Sequence, residues 1–393
     1  MKRILIVNNN MHIGGIQKSL VNLLNELCAS RADEYKIDLL LWKNAGELST
    51  DIPGEITIIE GNFFTQILGM SHSEARQSGI LTLLHRSFWA VITRLLQTRV
   101  SFCALSHMQR LRSEYDCAIS FMQNGAPNVF YGGCAEFVLN TAAKEKICFI
   151  HCDFQSYGGN CAYNRKTLER FDKIAAVSDS VAKRLVAAVP SIANKVRTVH
   201  NCTNFGAIQK MSDEYAPEYA NGRVNLFTAA RLHTEKGILR MLPILKRIKE
   251  SGAAFVWRIG GDGPDRTEIE EKIAVWGLQN EIILLGSLPN PYPYFKHSDA
   301  VLVPSYNEAA PMVFDEARAF GTPIFTTETA SAKEMVSDTH SGIVCENTDE
   351  KIESELLRFI LNFVPHKNKV EYCDNRRAVS EFDDLIHAAK PQH

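Results

Sequence analysis

Short apolar stretches alternate with amphipathic helical patterns along most of the chain, and this alternation constrains the fold more than any other feature. The first example is Lys2–Asn8, which has the composition of a buried strand and is followed by a loop with two glycines and a helical pattern over Ile16–Cys28. Strands that alternate with helices predict parallel sheets covered on both faces. We therefore expect an α/β fold made of two Rossmann-like, doubly wound parallel-sheet domains that face an interdomain cleft.

The remaining predicted strands follow the same pattern in both halves of the chain. They are Ile37–Trp42, Cys117–Phe121, Lys146–Ile150, Lys173–Val177, Val196–Val199, Asn225–Ala229, Phe255–Gly260, Glu281–Leu285, Ala300–Val303, Pro323–Thr326 and Gly342–Cys345.

A polar stretch near the middle of the chain, Asn204–Arg223, contains glycine and proline and predicts an interdomain linker. The chain has 393 residues, which is long for a single core. We expect an N-terminal acceptor-side domain over residues 1–204 and a C-terminal donor-binding domain over residues 205–371. A C-terminal helix over residues 372–393 is expected to pack back on the first domain. Because ligands of open parallel sheets bind beyond the carboxyl ends of the strands, the expected active site lies in the cleft.

A pair of glutamates occupies the segment Val301–Ile324. A buried strand leads into a loop that holds Glu308, and Pro311 stands where the first residue of a helix is expected. Glu316 is then predicted to lie one to two turns inside that helix. The N–H groups from Ala310 to Val313 would favour a phosphate. The same residues also fit an acidic loop before a surface helix, but their position between a buried strand and a proline-started helix favours a ligand site.

Two cations follow the first predicted strand of the second half. Arg231 comes directly after the end of that strand, and Lys236 is expected at the start of the next helix. Two cations and a helix N-terminus at the ligand end of a sheet suit a diphosphate. Arg231 could instead pair with a structural carboxylate, but the position of both cations at the sheet's ligand end favours the diphosphate.

Several other classes of protein are disfavoured. The turn Ile259–Pro264 matches only part of a dinucleotide fingerprint, and no Gly-Lys-Ser/Thr occurs, so neither NAD, FAD nor a Walker site is expected. The formal net charge of -2 gives no reason to expect nucleic-acid binding. Cys148, His151 and Cys152 lie close together, but no second pair follows at zinc-finger spacing, so no metal site is expected.

The start of the chain gives an expectation about location. Its apolar run Ile4–Val7 is shorter than the h-region of a signal peptide, about 7–15 residues, and no stretch approaches the ~20 apolar residues of a membrane span. The scattered cysteines fit reduced thiols. We expect a cytoplasmic protein.

These motifs resemble those of the retaining GT-B glycosyltransferases of family four, also described as glycosyltransferase group 1. That family has an Arg-x4-Lys pair after the first strand of the donor domain and a Glu-x7-Glu motif. Arg231 with Lys236 matches the first, and Glu308 with Glu316 matches the second. The resemblance covers most of the chain and is weakest across 62–115.

The resemblance implies a role for each matching position. Arg231 and Lys236 would neutralise the diphosphate leaving group. Glu308 would contact the transferred sugar, and Glu316 would accept hydrogen bonds from the ribose. His151, at the end of a strand, would lie near the reacting carbon, although an interior structural histidine is the alternative. The other implied donor-binding positions are Gly14, Gly15, Leu288, Ala310, Pro311, Met312 and Val313.

The implied reaction is the transfer, with retention, of a sugar from a nucleotide-diphosphate sugar, with UDP as the expected nucleotide. The acceptor would be a glycan or lipid-linked molecule in bacterial surface polysaccharide biosynthesis. No Asp-x-Asp occurs, so no metal or other cofactor is expected. Two alternatives are a nucleotide-sugar epimerase of the same architecture and an inactive nucleotide-sugar-binding protein.

The segment Phe63–Arg112 is the expected acceptor region and carries six arginines against a single acidic residue, Glu74. Within it, Leu81–Leu96 has apolar residues at helical spacing with Arg86 and Arg94 between them. Such a helix could contact an anionic membrane weakly, on its inner face, or could be buried against the N-terminal domain. Both interpretations fit the sequence.

Overall fold

The computed structural model describes residues 1–219, 222–365, 367 and 374–388, which fold into two compact units. The first unit contains residues 1–202 and the described residues from 375 onward, and the second contains 203–374. Each unit is built around one parallel sheet, of seven strands in the first and six in the second. The predicted α/β fold with two parallel-sheet domains is therefore confirmed.

The strands of the first unit are β1 Lys2–Asn8, β2 Tyr35–Leu41, β3 Thr57–Glu60, β4 Tyr115–Ser120, β5 Ala143–Ile150, β6 Lys173–Ala176 and β7 Val196–Thr198. Their order across the sheet is β3-β2-β1-β4-β5-β6-β7. Ile4–Val7 in the interior strand β1 are fully buried, as is typical of parallel sheets covered on both faces.

The strands of the second unit are β8 Val224–Ala229, β9 Phe255–Gly260, β10 Ile282–Gly286, β11 Ala300–Val303, β12 Ile324–Thr327 and β13 Gly342–Cys345. Their order across the sheet is β10-β9-β8-β11-β12-β13. Every strand predicted from the sequence is present in the two sheets, with ends that differ by at most three residues.

The helices flank the two sheets. They are α1 Gly15–Arg31, α2 His72–Gln77, α3 Ile80–Ser106, α4 Cys134–Asn140, α5 Ala162–Glu169, α6 Asp179–Ala188, α7 Phe205–Met211, α8 Ile238–Glu250, α9 Arg266–Val275, α10 Tyr292–His297, α11 Met312–Arg318, α12 Asp349–Leu361 and α13 Arg376–His387.

The stretch Asn204–Arg223, predicted as the interdomain linker, contains a helix, α7, that the sequence did not predict. Helix α7 begins after Asn204, whose side chain caps it by accepting a hydrogen bond from the Ala207 N–H at 3.0 Å. Ile208 is buried in the core of the second unit. The residues after α7 and before β8 carry no helix or strand where the structure describes them.

The last helix, α13, returns to the first unit, where Phe382 joins the core. Two lysines bind the carbonyl groups at its C-terminal end. Lys2 donates from Nζ to the Ile386 carbonyl at 2.8 Å, and the buried Lys173 donates to that of Leu385 at 2.7 Å and to that of Ala388 at 2.5 Å. Cations at this end satisfy free carbonyls and complement the helix dipole. Of the helix expected over 372–393, residues 372, 373 and 389–393 lie outside the described part of the chain.

Candidate active site

The strand order of the second sheet reverses at one place, between β8 and β11. The chain proceeds from β8 outward to β9 and β10, then crosses to β11 on the other side of β8. In open α/β sheets, the crevice beyond the carboxyl ends at such a switch point is the usual ligand site. The loop after β8 holds Arg231 and Lys236, and the loop after β11 holds Glu308. The sequence-predicted residues of this unit therefore come from the loops that border the switch point.

Lys236 and Glu308 form the centre of this site. The ammonium of Lys236 lies 2.7 Å from Glu308 Oε1, and the Ser305 hydroxyl donates to the same oxygen at 2.8 Å. Both charged side chains are largely buried. A charge-assisted hydrogen bond of this length holds the two groups in a defined position. Lys236 is the last residue of a 3₁₀ turn, and α8 begins at Ile238, two residues after its expected start at Lys236.

The two loops are also joined through their backbones. The Tyr306 N–H donates to the Glu235 carbonyl at 2.9 Å. Gly237 has a φ of 70°, and a Cβ there would lie 2.0 Å from the carbonyl oxygen of Pro304. Only glycine fits this left-handed, closely packed position. The contact explains how Lys236 and Glu308, 72 residues apart in sequence, are held within hydrogen-bond distance.

A second layer of polar side chains supports the Glu308 loop, and the sequence analysis missed it. Asn347 donates to the Tyr306 carbonyl at 3.1 Å, and the guanidinium of Arg240 lies 4.3 Å from the centre of the Tyr306 ring. Arg240 is in turn bound to Asp349 at 2.7 Å. These residues are far apart in sequence and fit no local motif, so only the folded chain reveals the arrangement.

Arg231 is held much more loosely than Lys236. Its side chain is largely exposed, and Nη2 makes one contact of 3.3 Å with Glu235. Exposed ion pairs of this kind contribute little, so the guanidinium can reorient toward an anion at small cost. The site therefore offers one fixed cation, which a carboxylate already neutralises, and one mobile cation.

The turn after β9 packs against the Arg231 loop. Gly261 has a φ of 148°, and a Cβ there would lie 1.9 Å from the Ala230 carbonyl oxygen. The Leu232 N–H donates to the Asp262 carbonyl at 2.9 Å. The glycines of this turn therefore allow a close backbone approach beside the cations, rather than forming a dinucleotide fingerprint. Leu288 packs over Gly260, since its Cδ1 lies 2.6 Å from the position of a Cβ there.

Glu316 lies in α11, where it is buried. The helix begins at Met312 with Pro311 as its N-cap residue, so Pro311 is not the first helical residue that the sequence suggested. The helix has seven residues, and the Phe314 N–H in its first turn donates to the Pro311 carbonyl at 3.1 Å. The roles of Ala310, Pro311, Met312 and Val313 toward a donor stay predictions, as does that of Glu316.

In the first unit, His151 follows β5 and packs beside two phenylalanine rings, with its centroid 4.6 Å from that of Phe121 and 5.8 Å from that of Phe149. Burial lowers the pKa of His151 to about 3, so the ring is neutral near pH 7. Its Nε2 is buried without a hydrogen-bond partner in the part of the chain that the structure describes. Most buried polar atoms have a hydrogen-bond partner, so Nε2 of His151 is an exception.

Gly14 and Gly15 lie at the start of α1. Gly14 is extended, with a φ of -170°, and nothing lies within 4 Å of the position of a Cβ at Gly15. Backbone conformation therefore does not demand glycine at Gly14, and the space beside Gly15 is open. The phosphate-binding role of both residues stays a prediction.

Residues 216–375 match the family model of the glycosyl transferases group 1, which is less than half of the chain. Among curated proteins, the chain is 27% identical over 168 residues to an uncharacterized glycosyltransferase of Methanocaldococcus jannaschii, covering 42% of this chain and 41% of the relative. It is 20% identical over 221 residues to the capsular polysaccharide biosynthesis glycosyltransferase CapM of Staphylococcus aureus, covering 54% and 58%. The chain thus matches about two fifths to three fifths of the length of these relatives.

Two solved structures have the same fold over nearly the whole chain. TarM of S. aureus, in complex with fondaparinux, α-GlcNAc-glycerol and UDP, has a TM-score of 0.70 at 11% identity. The alignment covers 99% of this chain and 100% of the TarM chain. HepE of Anabaena, in complex with UDP-glucose, has a TM-score of 0.67 at 13% identity and covers 98% of each chain. These likenesses show the GT-B fold, and the family match supports assignment of the second unit to glycosyltransferase group 1. Among the described residues, no helix is long and apolar enough to cross a membrane.

Proposed function

We propose that this chain is a retaining glycosyltransferase that moves a hexose-type sugar from a nucleotide-diphosphate sugar, with UDP as the nucleotide. The observation that carries the proposal is the Lys236–Glu308 pair at the switch point of the second sheet, where the two side chains meet at 2.7 Å. It lies within the segment that matches the group 1 family model. The UDP complexes of the structural neighbours TarM and HepE agree with the choice of nucleotide.

The chemistry of the site follows from its charges. In glycosyl transfer, the bond between the anomeric carbon and the diphosphate oxygen breaks, and the acceptor oxygen bonds to that carbon with loss of its proton. Negative charge therefore grows on the diphosphate as it leaves. Lys236 and the mobile Arg231 are the cations that would stabilise this charge, and fixed charges aimed at a developing anion are an effective form of catalysis.

Glu308 has two tasks in this proposal. Before the donor binds, it neutralises Lys236, which would otherwise be a largely buried and unpaired cation. With donor present, the diphosphate takes over that neutralisation, and the Glu308 carboxylate becomes free to accept hydrogen bonds from the sugar. When the diphosphate replaces the carboxylate, Lys236 stays paired with an anion, and this costs less free energy than leaving the ammonium buried and unpaired.

The other predicted positions complete the donor site. Glu316 would accept hydrogen bonds from the ribose, and the base would pack near Leu288. Gly14 and Gly15 keep their predicted phosphate-binding role in this proposal. The neutral His151 would lie near the reacting carbon.

We propose that no metal ion is needed, because two cations can meet the charge of the leaving group. The acceptor would be a glycan or a lipid-linked molecule, and the pathway bacterial surface polysaccharide biosynthesis, as the name of the relative CapM suggests. The reaction would then take place in the cytoplasm, on the inner face of the membrane that holds such acceptors.

Calorimetric titration of the chain with UDP in excess EDTA tests the proposal. Lys236→Met should weaken UDP binding by about 10- to 150-fold, since one charge-assisted contact is worth about 1.5–3 kcal/mol. Arg231→Gln should weaken it by a similar or smaller factor. The matched control is Lys246→Met on the exposed side of α8, which should leave the affinity unchanged. Absence of UDP binding to the unmodified chain, or equal affinities in the Lys236 and Lys246 variants, would remove the basis of the proposal.

A further inference from the structure

The first part of helix α3 has its apolar side turned toward solvent. Five residues at alternating spacings of three and four are between 55% and 73% exposed. We call them the apolar stripe, and they are Leu81, Leu84, Phe88, Val91 and Leu95. At 100° per residue these positions lie on one side of the helix. Because large apolar side chains are normally buried, a continuous exposed row of them marks a surface that contacts something else.

The opposite side of the same helix segment packs against the first unit, and it is the more polar side. Thr82 and Thr93 are buried, and Arg86 donates from Nε to the Met70 carbonyl at 2.9 Å. Arg86 also lies 5.8 Å from the centre of the Phe130 ring. The helix therefore turns its apolar side to solvent and its more polar side to the protein, which is the reverse of an ordinary surface helix. Of the two interpretations of the sequence, burial of the apolar side against the N-terminal domain is wrong.

The apolar stripe ends at a break in the helix. Gln97 has a φ of 63° and a ψ of 170°, and the following Thr98 N–H donates to the Pro127 carbonyl at 2.7 Å. After this break, Phe102 and Leu105 are buried in the usual way. The stripe is thus confined to a straight segment that spans roughly 21 Å at 1.5 Å per residue.

Aromatic rings extend the apolar surface beside the stripe. Phe63 stacks on His85 with centroids 5.6 Å apart, and Phe64 meets the same ring edge-on at 5.9 Å. Both phenylalanines are about half exposed. They widen the surface beyond a single helical row.

Charge distinguishes between the partners that could cover this surface. Arg94 lies in the same helical segment and Arg99 two residues after the break at Gln97; both are exposed and have no ion-pair partner among the residues that the structure describes. The one acidic residue of 63–112, Glu74, is already bonded to His12 at 2.6 Å. A second copy of the chain would bring like charges together without an acidic group to offset them. An anionic lipid surface offers both apolar depth and negative charge.

We propose that the apolar stripe of α3 lies in the interfacial region of an anionic phospholipid bilayer, with Arg94 and Arg99 at the lipid headgroups. The helix lies parallel to the surface and inserts the leucine, phenylalanine and valine side chains. Arg86 takes no part, because it faces the protein. This contact goes beyond the proposed reaction and does not depend on it.

Flotation of the full chain with vesicles of phosphatidylglycerol and phosphatidylcholine tests the proposal, with pure phosphatidylcholine vesicles as reference. Leu84→Ser/Phe88→Ser/Leu95→Ser should lower the bound fraction by about tenfold or more. These side chains are exposed, so the fold should survive, and circular dichroism checks this. The matched control changes three exposed apolar residues of the second unit to serine, Val275, Leu361 and Val364, and should bind as the unmodified chain does.

The electrostatic part has its own pair of variants. Arg94→Gln/Arg99→Gln should weaken binding to the anionic vesicles by up to about 30-fold at low salt and by less at high salt, since each basic residue contributes about 1 kcal/mol. The control Lys183→Gln/Lys210→Gln removes two exposed charges elsewhere on the protein and should leave vesicle binding unchanged. The proposal is overturned if the unmodified chain does not float with anionic vesicles, or if the serine variant floats equally. It is also overturned if sedimentation shows a dimer that the serine variant dissolves while neither protein binds vesicles. UDP affinity should be the same in all these variants, so this test is separate from that of the enzyme activity.

Discussion

The pair formed by Lys236 and Glu308 allows a quantitative prediction about donor use. The Nζ–Oε1 distance is 2.7 Å, and both side chains are largely buried. Lys236→Met removes the fixed cation, so kcat/KM for the nucleotide sugar should fall by about 10- to 150-fold, which corresponds to about 1.5–3 kcal/mol. Glu308→Gln keeps the shape but removes the charge that neutralises Lys236. UDP affinity should then stay the same or rise, while kcat falls.

The double variant completes a thermodynamic cycle. Because the two groups touch, their effects should not add, and the coupling free energy should be about 0.5–3 kcal/mol. The chain offers a matched control in Lys249 and Glu281, which form a similar ion pair at 2.8 Å before β10, at the opposite end of the strands. Lys249→Met and Glu281→Gln should affect stability but leave the donor kinetics unchanged.

The assay is release of UDP from the donor under steady-state conditions, with thermal unfolding to check the fold of each variant. The assigned roles are refuted if Glu308→Gln loses UDP affinity as Lys236→Met does. They are equally refuted if the coupling free energy is zero.

Four further outcomes are expected. Glu316→Gln should weaken UDP binding more than it lowers kcat, whereas the exposed control Glu350→Gln should change neither in the same titrations and assays. Activity should be unchanged in excess EDTA; a loss restored by Mg²⁺ or Mn²⁺ would contradict this. Because the folded-state pKa of His151 is lowered to about 3, the unfolded chain binds the extra proton below about pH 6.5. His151 therefore makes stability decline as the pH falls from about 6.5 toward 3, and denaturant titrations should show a smaller decline in His151→Phe. Lys173→Met should lower the free energy of unfolding by about 2–4 kcal/mol in urea titrations, since it leaves Glu145 and the last carbonyls of α13 without their buried cation.

The sequence predicts the parts of the fold that depend on local pattern. Strands buried on both faces, such as Ala300–Val303, are continuous apolar runs, and the predicted bounds of this strand agree with the structure. The edge strand Thr57–Glu60 was missed because its side chains are mostly exposed and give no burial signal. Helix α7 was missed because the surrounding stretch is polar and only its asparagine cap and Ile208 indicate a helix.

In the candidate site, too, some features follow from local sequence and others depend on contacts between distant segments. The sequence identifies Arg231, Lys236 and Glu308 by their positions after strands, and strand order then brings their loops together. The ion pair itself depends on the close packing of Gly237 against Pro304, which is a contact between distant segments. The side of α3 that faces the protein could not be predicted, because its apolar and polar residues are inverted relative to the usual pattern.

Transfer of a sugar from a nucleotide diphosphate can be followed by proton NMR of the purified chain with a panel of UDP-, GDP- and ADP-sugars in EDTA, with Lys236→Met in parallel. We expect slow formation of UDP and free sugar from at least one UDP-sugar, faster release of UDP in the presence of a suitable acceptor, and much slower release in the variant. Conversion of the donor into an isomeric nucleotide sugar, or binding of the donor with no turnover over days, would contradict this expectation.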